Sequence, residues 1–281
     1  MITIRELFQT ILICLLWASC KNETDKKYPD FEQKKVVAEN ILTIKIDEEK
    51  INMPETLKSG WHKIQFVNLG NTEHNGQFLL LKNNKSLNDY LEDFSKVIDT
   101  GNPRPDYAIR YGGASPTAPK DTLTFYQYFE PGKYALYDLF NLFNGLTKTF
   151  IVGEEVNDIK LPNFSFKVEL DEYSYKFNKS LTKGTHWLKV KNIGNEPHEM
   201  TIGKMAPEKN KNDLIQWAKT FQDIPPVVES PSQGLSSLAP GLESYIKAEF
   251  DAGRWVFFSN VTAPDGLRQV EHGMVEIIEI E

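Results

Sequence analysis

No cysteine follows residue 20. The chain has 281 residues and only 2 cysteines, Cys14 and Cys20. Beyond that point there is no disulfide, no thiol nucleophile and no thiolate for a metal. Positive charge is also in deficit. Lys and Arg number 32 against 39 Asp and Glu, which leaves a net charge of −7. Nucleic acid and anionic membrane surfaces attract Lys and Arg, so this balance argues against both as partners. There is no Gly-rich phosphate loop. The acidic residues are scattered and form no calcium-type loop of oxygen ligands. The apolar stretch Leu7–Trp17, broken by Gln9 and Thr10, is too short to span a bilayer as a stable helix. What the chain does have is core-forming material, 40% hydrophobic and 12% aromatic. That is enough for two domains of ordinary size.

The N-terminus reads as an export signal. Arg5 is a thin positive region, Leu7–Trp17 is the apolar segment, and Leu16-Trp17-Ala18-Ser19-Cys20 closes it. Small residues directly before a cysteine resemble a bacterial lipobox, with Trp17 departing from the usual aliphatic residue. The resemblance implies a signal and lipobox over residues 1–20, cleaved before Cys20 so that a lipidated Cys20 becomes the first residue, and a protein held to a membrane of a bacterial cell envelope by that lipid. Residues 21–35 are polar, charged and turn-prone, as a tether is.

One long sentence of the sequence is then said twice. Gly60-Trp-His-Lys-Ile-Gln-Phe-Val-Asn-Leu-Gly-Asn-Thr-Glu-His74 is matched by Gly184-Thr-His-Trp-Leu-Lys-Val-Lys-Asn-Ile-Gly-Asn-Glu-Pro-His198. The offset is 124 residues throughout. That is too long for a solenoid unit. It marks a duplicated domain, with residues 36–155 as the first copy and 156–281 as the second. Four of the 5 histidines lie in the repeat, which raises the question of metal chemistry.

Both copies follow one order. An opening strand (Ile41–Ile46; Phe164–Leu170) precedes the repeat strand and its Asn-x-Gly turn. A strand after the histidine follows (Gln77–Leu81; Glu199–Ile202). One amphipathic helix comes next. Leu87, Tyr90, Leu91, Phe94, Val97 and Ile98 recur at helical spacing behind a Ser86–Asp89 capping box, and Leu214, Trp217, Ala218 and Phe221 do the same in the second copy. Gly/Ser/Pro-rich loops are expected at Tyr111–Pro116 and Ser232–Ser237. Three strands close each copy: Thr122–Phe129, Gly132–Leu139 and Thr147–Val152, then Glu243–Phe250, Gly253–Asn260 and Met274–Glu281. Short strands with a single helix indicate an all-β sandwich.

Asn192-Ile-Gly-Asn-Glu-Pro-His198, Phe250-Asp-Ala-Gly-Arg-Trp-Val-Phe-Phe-Ser259, Pro264-Asp-Gly266 and Gly273-Met274-Val275 resemble the plastocyanin-like cupredoxins. The resemblance covers nearly everything after the tether and implies two tandem cupredoxin-like Greek-key β-sandwiches. In blue-copper members a His, a Cys, a second His and a Met hold the metal, a set that suits copper cycling between oxidation states. Carried onto the second copy, those places fall on His198, Ser259, Gln269 and Met274. On the first copy they fall on His74, Asp138 and Leu146, with no second histidine. The ligands are thus largely lost, and a type 1 copper centre, a multicopper oxidase and a copper nitrite reductase are not expected.

Three further groups stand out. His198-Glu-Met200 and His272-Gly-Met274 are two His-x-Met pairs, each placing both side chains on one strand face. His198, His272, Met274 and Met200 would form a soft, thiolate-free set for Cu(I). The simpler reading leaves no cofactor, with the histidines bonding loop carbonyls and the methionines in the core. Ser259, His272 and Asp265 invite a Ser/His/Asp reading, with nothing to fix an oxyanion hole. His62 and His186 are expected on the surface face of their strands. Leu139-Phe-Asn-Leu-Phe-Asn-Gly145 places Phe140 and Phe143 in a loop tip that must either pack on the second copy or dock a partner. Tyr126 and Tyr128 are expected on one face of their strand, half covered by the other copy or else stacking on a sugar or peptide. The composite expectation is a lipid-anchored envelope protein with a non-enzymatic binding or assembly role and an envelope protein as partner. The alternative is a copper carrier or store.

Overall fold

The computed structural model describes residues 40–96, 105–220, 226–228 and 233–281. The expected signal segment, Cys20 and the tether lie outside the described residues. So do Val97, Ile98 and Phe221 of the two helical patterns, and Ser232. In chain order the first half contains β1 (Ile41–Ile46), β2 (Ile51–Asn52), β3 (Thr56–Asn68), β4 (His74–Leu81), α1 (Leu87–Ser95), β5 (Ala108–Thr117), β6 (Thr122–Phe129), β7 (Gly132–Tyr137), a 3-10 turn over Leu139–Asn144, and β8 (Thr147–Asn157). The second half contains β9 (Phe166–Asp171), β10 (Ser174–Phe177), β11 (Gly184–Asn192), β12 (His198–Met205), α2 (Lys211–Thr220), β13 (Val227–Val228), β14 (Gly234–Leu238), β15 (Glu243–Phe250), β16 (Gly253–Phe258) and β17 (Val275–Ile280). The all-β class expected from the sequence is the one observed.

The pairing repeats with the sequence. β1 runs parallel to β3 and β9 runs parallel to β11. β6 lies antiparallel to β3, and β15 antiparallel to β11. β4 takes β5 and β7 as neighbours, and β12 takes β14 and β16. Alternation places Ile64 and Phe66 of β3, and Leu188 and Val190 of β11, in the main core. β4 is buried along its whole length because both its faces are covered. Phe78 and Leu80 enter the main core, while Leu79 and Leu81 meet Leu87, Tyr90 and Phe94 of α1. α1 starts at the expected capping box. Ser86 Oγ accepts from the Asp89 N–H, and Asp89 Oδ2 accepts from the Ser86 N–H. Leu214 and Ala218 of α2 cover Met205 of β12 in the same manner.

The two Gly/Ser-rich stretches expected as loops are strands. β5 and β14 pair with each other, Leu235 opposite Ala114 and Leu238 opposite Tyr111. β6 and β15 also pair across the halves, with Tyr245 opposite Tyr126. These ladders draw the described residues into one compact unit. Small side chains are what the junction requires. Ser236 Oγ donates to Ala114 O at 2.6 Å, Ser115 Oγ to Gln233 O at 3.0 Å, and Ser244 Oγ to Tyr126 O at 2.6 Å. Gln77 spans the halves, accepting from the Ser237 N–H and donating to Ser237 O, each at 3.0 Å. A β carbon on Gly113, whose φ is +129°, would lie 1.9 Å from Gly76 O. Aromatic edges seal the rim: Trp187 packs on Tyr126 at 5.2 Å and Trp61 on Tyr245 at 5.4 Å between ring centroids. Tyr126 is accordingly buried by the second half, whereas Tyr128, two residues on, stays exposed.

Gly113→Ala should therefore cost more than about 4 kcal/mol, combining a disallowed φ with a backbone collision. Gly145→Ala, at φ +85° with nothing within 4 Å of the new carbon, should cost about 1–2 kcal/mol. Urea unfolding midpoints of the two variants check the order; similar values would mean that the junction tolerates separation.

Candidate functional site

The Asn-x-Gly turn is built twice from identical bonds. Asn68 is fully buried, donates its amide to Thr72 O and Thr117 O at 2.8 Å each, and accepts from the Gly70 N–H at 2.8 Å. Asn192 donates to Glu196 O and Leu238 O at 2.7 Å each and accepts from the Gly194 N–H at 2.9 Å. Glu48 accepts from the Asn71 N–H, and Glu172 from the Asn195 N–H. These bonds hold the Glu48 carboxyl below the usual carboxylate range, with the Asn71 N–H the largest cause. The turn delivers His74 and His198 into the interior, both with no exposed surface.

What each histidine meets there is different chemistry in the same place. His74 Nδ1 lies 2.5 Å from Asp138 Oδ2. Asp138 also accepts from the Phe140 N–H at 2.9 Å and from Asn141 Nδ2 at 3.2 Å, so it caps the 3-10 turn that follows. His198 Nδ1 donates to Gln269 Oε1 at 2.9 Å, and Ser259 Oγ donates to the same oxygen at 2.7 Å. Gln269 Nε2 donates to Pro197 O at 3.0 Å, which fixes the amide orientation and the Nδ1–H tautomer of His198. One backbone bond recurs beside the two centres: Asp138 N–H donates to Leu146 O at 3.1 Å, and Ser259 N–H to Met274 O at 3.2 Å. His198 and Ser259 are thus brought together on one shared acceptor, Gln269 Oε1.

The residues proposed as soft metal ligands are divided. Met200 and Met274 are fully buried in the main core. His272 is half-buried, 3.1 Å from Asp265 through Nε2, and stacked on Tyr173 at 4.5 Å. The His272 bond lowers the Asp265 carboxyl, and burial with the nearby Glu196 pushes the Tyr173 phenol up to about 12. Nδ1 of His198 is occupied by Gln269. Its Nε2 is buried without a hydrogen-bond partner and faces the bare Cα of Gly194, where a β carbon would lie 2.7 Å away. The equivalent Nε2 of His74 faces Gly70 in the same way. Among the described residues no group of three or more His, Cys, Asp or Glu could hold a metal ion. Ser259, His272 and Asp265 do not form a relay, because the Ser259 hydroxyl is given to Gln269.

His62 is buried rather than on the surface face. It shares strand parity with Ile64 and Phe66, and its Nε2 donates to Lys58 O at 2.9 Å. Burial holds its pKa below the ordinary 6.5. Half-buried His186 repeats the bond to Thr182 O at 2.9 Å and sits edge-on to Phe166 at 4.8 Å. The Leu139–Asn144 turn packs on β4 of its own half. Leu142 is buried beneath it, while Phe140 and Phe143 are 55% and 57% exposed. Sequence reasoning missed Asn75, which is buried and accepts from the Leu139 N–H at 2.7 Å to orient this turn. Its adjacency to His74 was the available signal.

No family model and no curated protein matches the sequence. Solved structures do. One is the dithionite-reduced auracyanin of Roseiflexus castenholzii, at 19% identity, with 41% of this chain and 94% of that chain covered and a TM-score of 0.30. Another is a multicopper oxidase, at 12% identity, with 85% and 88% covered and a TM-score of 0.25. A third is the Cu-containing nitrite reductase of Thermus scotoductus SA-01, at 11% identity, with 85% and 61% covered and a TM-score of 0.23. The copper named there is that of those proteins.

Asp138→Ala would leave His74 Nδ1 buried without its carboxylate and uncap the turn, at a cost of about 3–5 kcal/mol. Gln269→Ala removes a neutral acceptor and should cost about 1–3 kcal/mol. Denaturant titrations of both variants test the ranking, and the reverse order would refute the account of the two centres.

Proposed function

We propose that the chain is a non-enzymatic binding or assembly protein of a bacterial cell envelope, held to a membrane by a lipid on Cys20, and that the Leu139–Asn144 turn is its partner surface. Residues 1–20 serve as the signal and 21–35 as the tether. Residues 36–155 and 156–281 are two copies of one ancestral domain. The observation that carries this reading is the exposure of Phe140 and Phe143 on a turn whose own frame is buried. Asp138 caps the turn from inside, Leu142 anchors it, and Asn75 holds its first N–H. Two exposed aromatic side chains on a backbone turn held from beneath offer a preformed apolar patch, which suits a binding hot spot. The complementary surface is an apolar groove on an envelope protein.

The test is in-cell photocrosslinking from a probe replacing Phe143, with Glu155, exposed elsewhere, as the control position. The expected result is a discrete adduct at 143 and none at 155. Phe140→Asp should abolish it, and Cys20→Ala should shift both protein and adduct out of the membrane fraction. Absence of a discrete adduct at 143 would sink the reading.

A second reading, the thiolate-free copper carrier, rests on the unpartnered Nε2 of His198 and the two buried thioethers. In it Gln269 keeps His198 Nδ1 while Nε2 takes the metal, and His272 is left Nδ1 because Asp265 holds its Nε2. Titration with Cu(I) under reducing conditions and Cu(II) in parallel should show no stoichiometric binding. Tight one-to-one binding lost in His198→Ala would replace the first reading with this one.

A further inference from the structure

We propose that a cleft where the two halves meet binds a compact aromatic carboxylate. The cleft holds about 240 Å³. Tyr90 and Phe94 of α1 form one wall, Pro197 and Ala239 of the second half form the other, and Ile109 and Arg110 of β5 lie between them.

The walls are fixed. The Tyr90 and Phe94 rings stack on each other, 5.3 Å between centroids and 10° from parallel. The Tyr90 hydroxyl bonds that of Tyr137 at 3.3 Å. Pro197 is tied to the His198 centre, since its carbonyl accepts from Gln269 Nε2. The Ala239 N–H donates to Arg110 O at 2.8 Å, so the second half also pins the backbone that carries the guanidinium.

The guanidinium itself is underused. Arg110 is half-buried, and its contact among the described residues is a long one, Nη1 to Ser237 Oγ at 3.5 Å. No carboxylate among the described residues lies within ion-pair distance of it, in a chain of net charge −7. An arginine partly withdrawn from water, with no described carboxylate within ion-pair distance, favours an anion, and its planar fork matches a carboxylate in two parallel bonds. Asp106 at the cleft disfavours a more highly charged anion such as a phosphate dianion.

Size and wall chemistry set the rest of the ligand. A cavity of roughly 150 Å³ takes one benzene ring, and drug-sized ligands occupy upwards of about 300 Å³. The volume here fits one ring with a short charged tail. Flat aromatic and proline walls suit a ring better than a branched chain.

The test uses the full chain and 3-phenylpropionate as probe, with 3-phenylpropan-1-ol as its neutral counterpart, read by calorimetry or by chemical shifts of the cleft residues. The expected result is saturable one-to-one binding of the acid. The alcohol should bind at least about tenfold more weakly, and Arg110→Gln should weaken the acid by a similar factor. Failure of the acid to saturate the wild-type protein, or equal binding of acid and alcohol, would overturn the proposal. Because the second comparison uses only wild-type protein, it decides the matter even if Arg110→Gln misfolds. A folded Arg110→Gln that binds the acid undiminished would overturn it as well.

Discussion

A buried primary amide, made twice, is the constraint on which the rest depends. Asn68 and Asn192 each satisfy two carbonyls and one N–H inside a turn that would otherwise bury orphaned backbone groups. One of those carbonyls belongs to the turn itself. The other belongs to a distant strand, Thr117 in one half and Leu238 in the other, so the amide joins local conformation to sheet packing. Asp is isosteric but cannot donate, and Gln is one carbon too long for the same three bonds. With the turn set, the histidine that follows enters the interior with its ring orientation already decided.

The two interiors then diverge. A carboxylate at Asp138 binds the imidazole and caps the next turn, so that one group organises both the buried centre and the exposed aromatics beyond it. At the equivalent place in the second half, Ser259 has no such reach, and Gln269 closes the network instead. The same backbone frame thus carries an ionisable pair in one half and a neutral triad in the other. The first half displays aromatic side chains where the second has a longer closing loop.

Much of this was legible in the sequence, for physical reasons. The 124-residue repeat fixed which residues are equivalent, and hydrogen bonds such as His62 to Lys58 and His186 to Thr182 recur at that spacing. Ser86 and Asp89 announced the helix start because a capping box is local. β5 and β14 were not legible as strands. Gly112, Gly113, Ser115, Ser236 and Ser237 carry local turn propensity, and only the partner strand from the other half makes them extended. His62 was readable and misread: its parity with Ile64 and Phe66 already pointed inward. Gln269 was seen as an absent ligand, whereas its amide is the hub of the second centre. The cleft at Arg110 had no sequence signature, because its walls come from segments more than a hundred residues apart.

The ladders between β5 and β14 and between β6 and β15 also govern the order in which this chain becomes safe. The first half leaves the ribosome first. Until the second half arrives, β5 and β6 are open sheet edges with unpaired N–H and C=O groups, and over Gly112–Ser115 no bulky side chain keeps a stranger away. Their partners come from residues 234–246. Contacts at that sequence separation form late. The chain therefore passes through an interval in which its own unfinished edges are its chief hazard, and maturation ends with the second half acting as an intramolecular chaperone for the first.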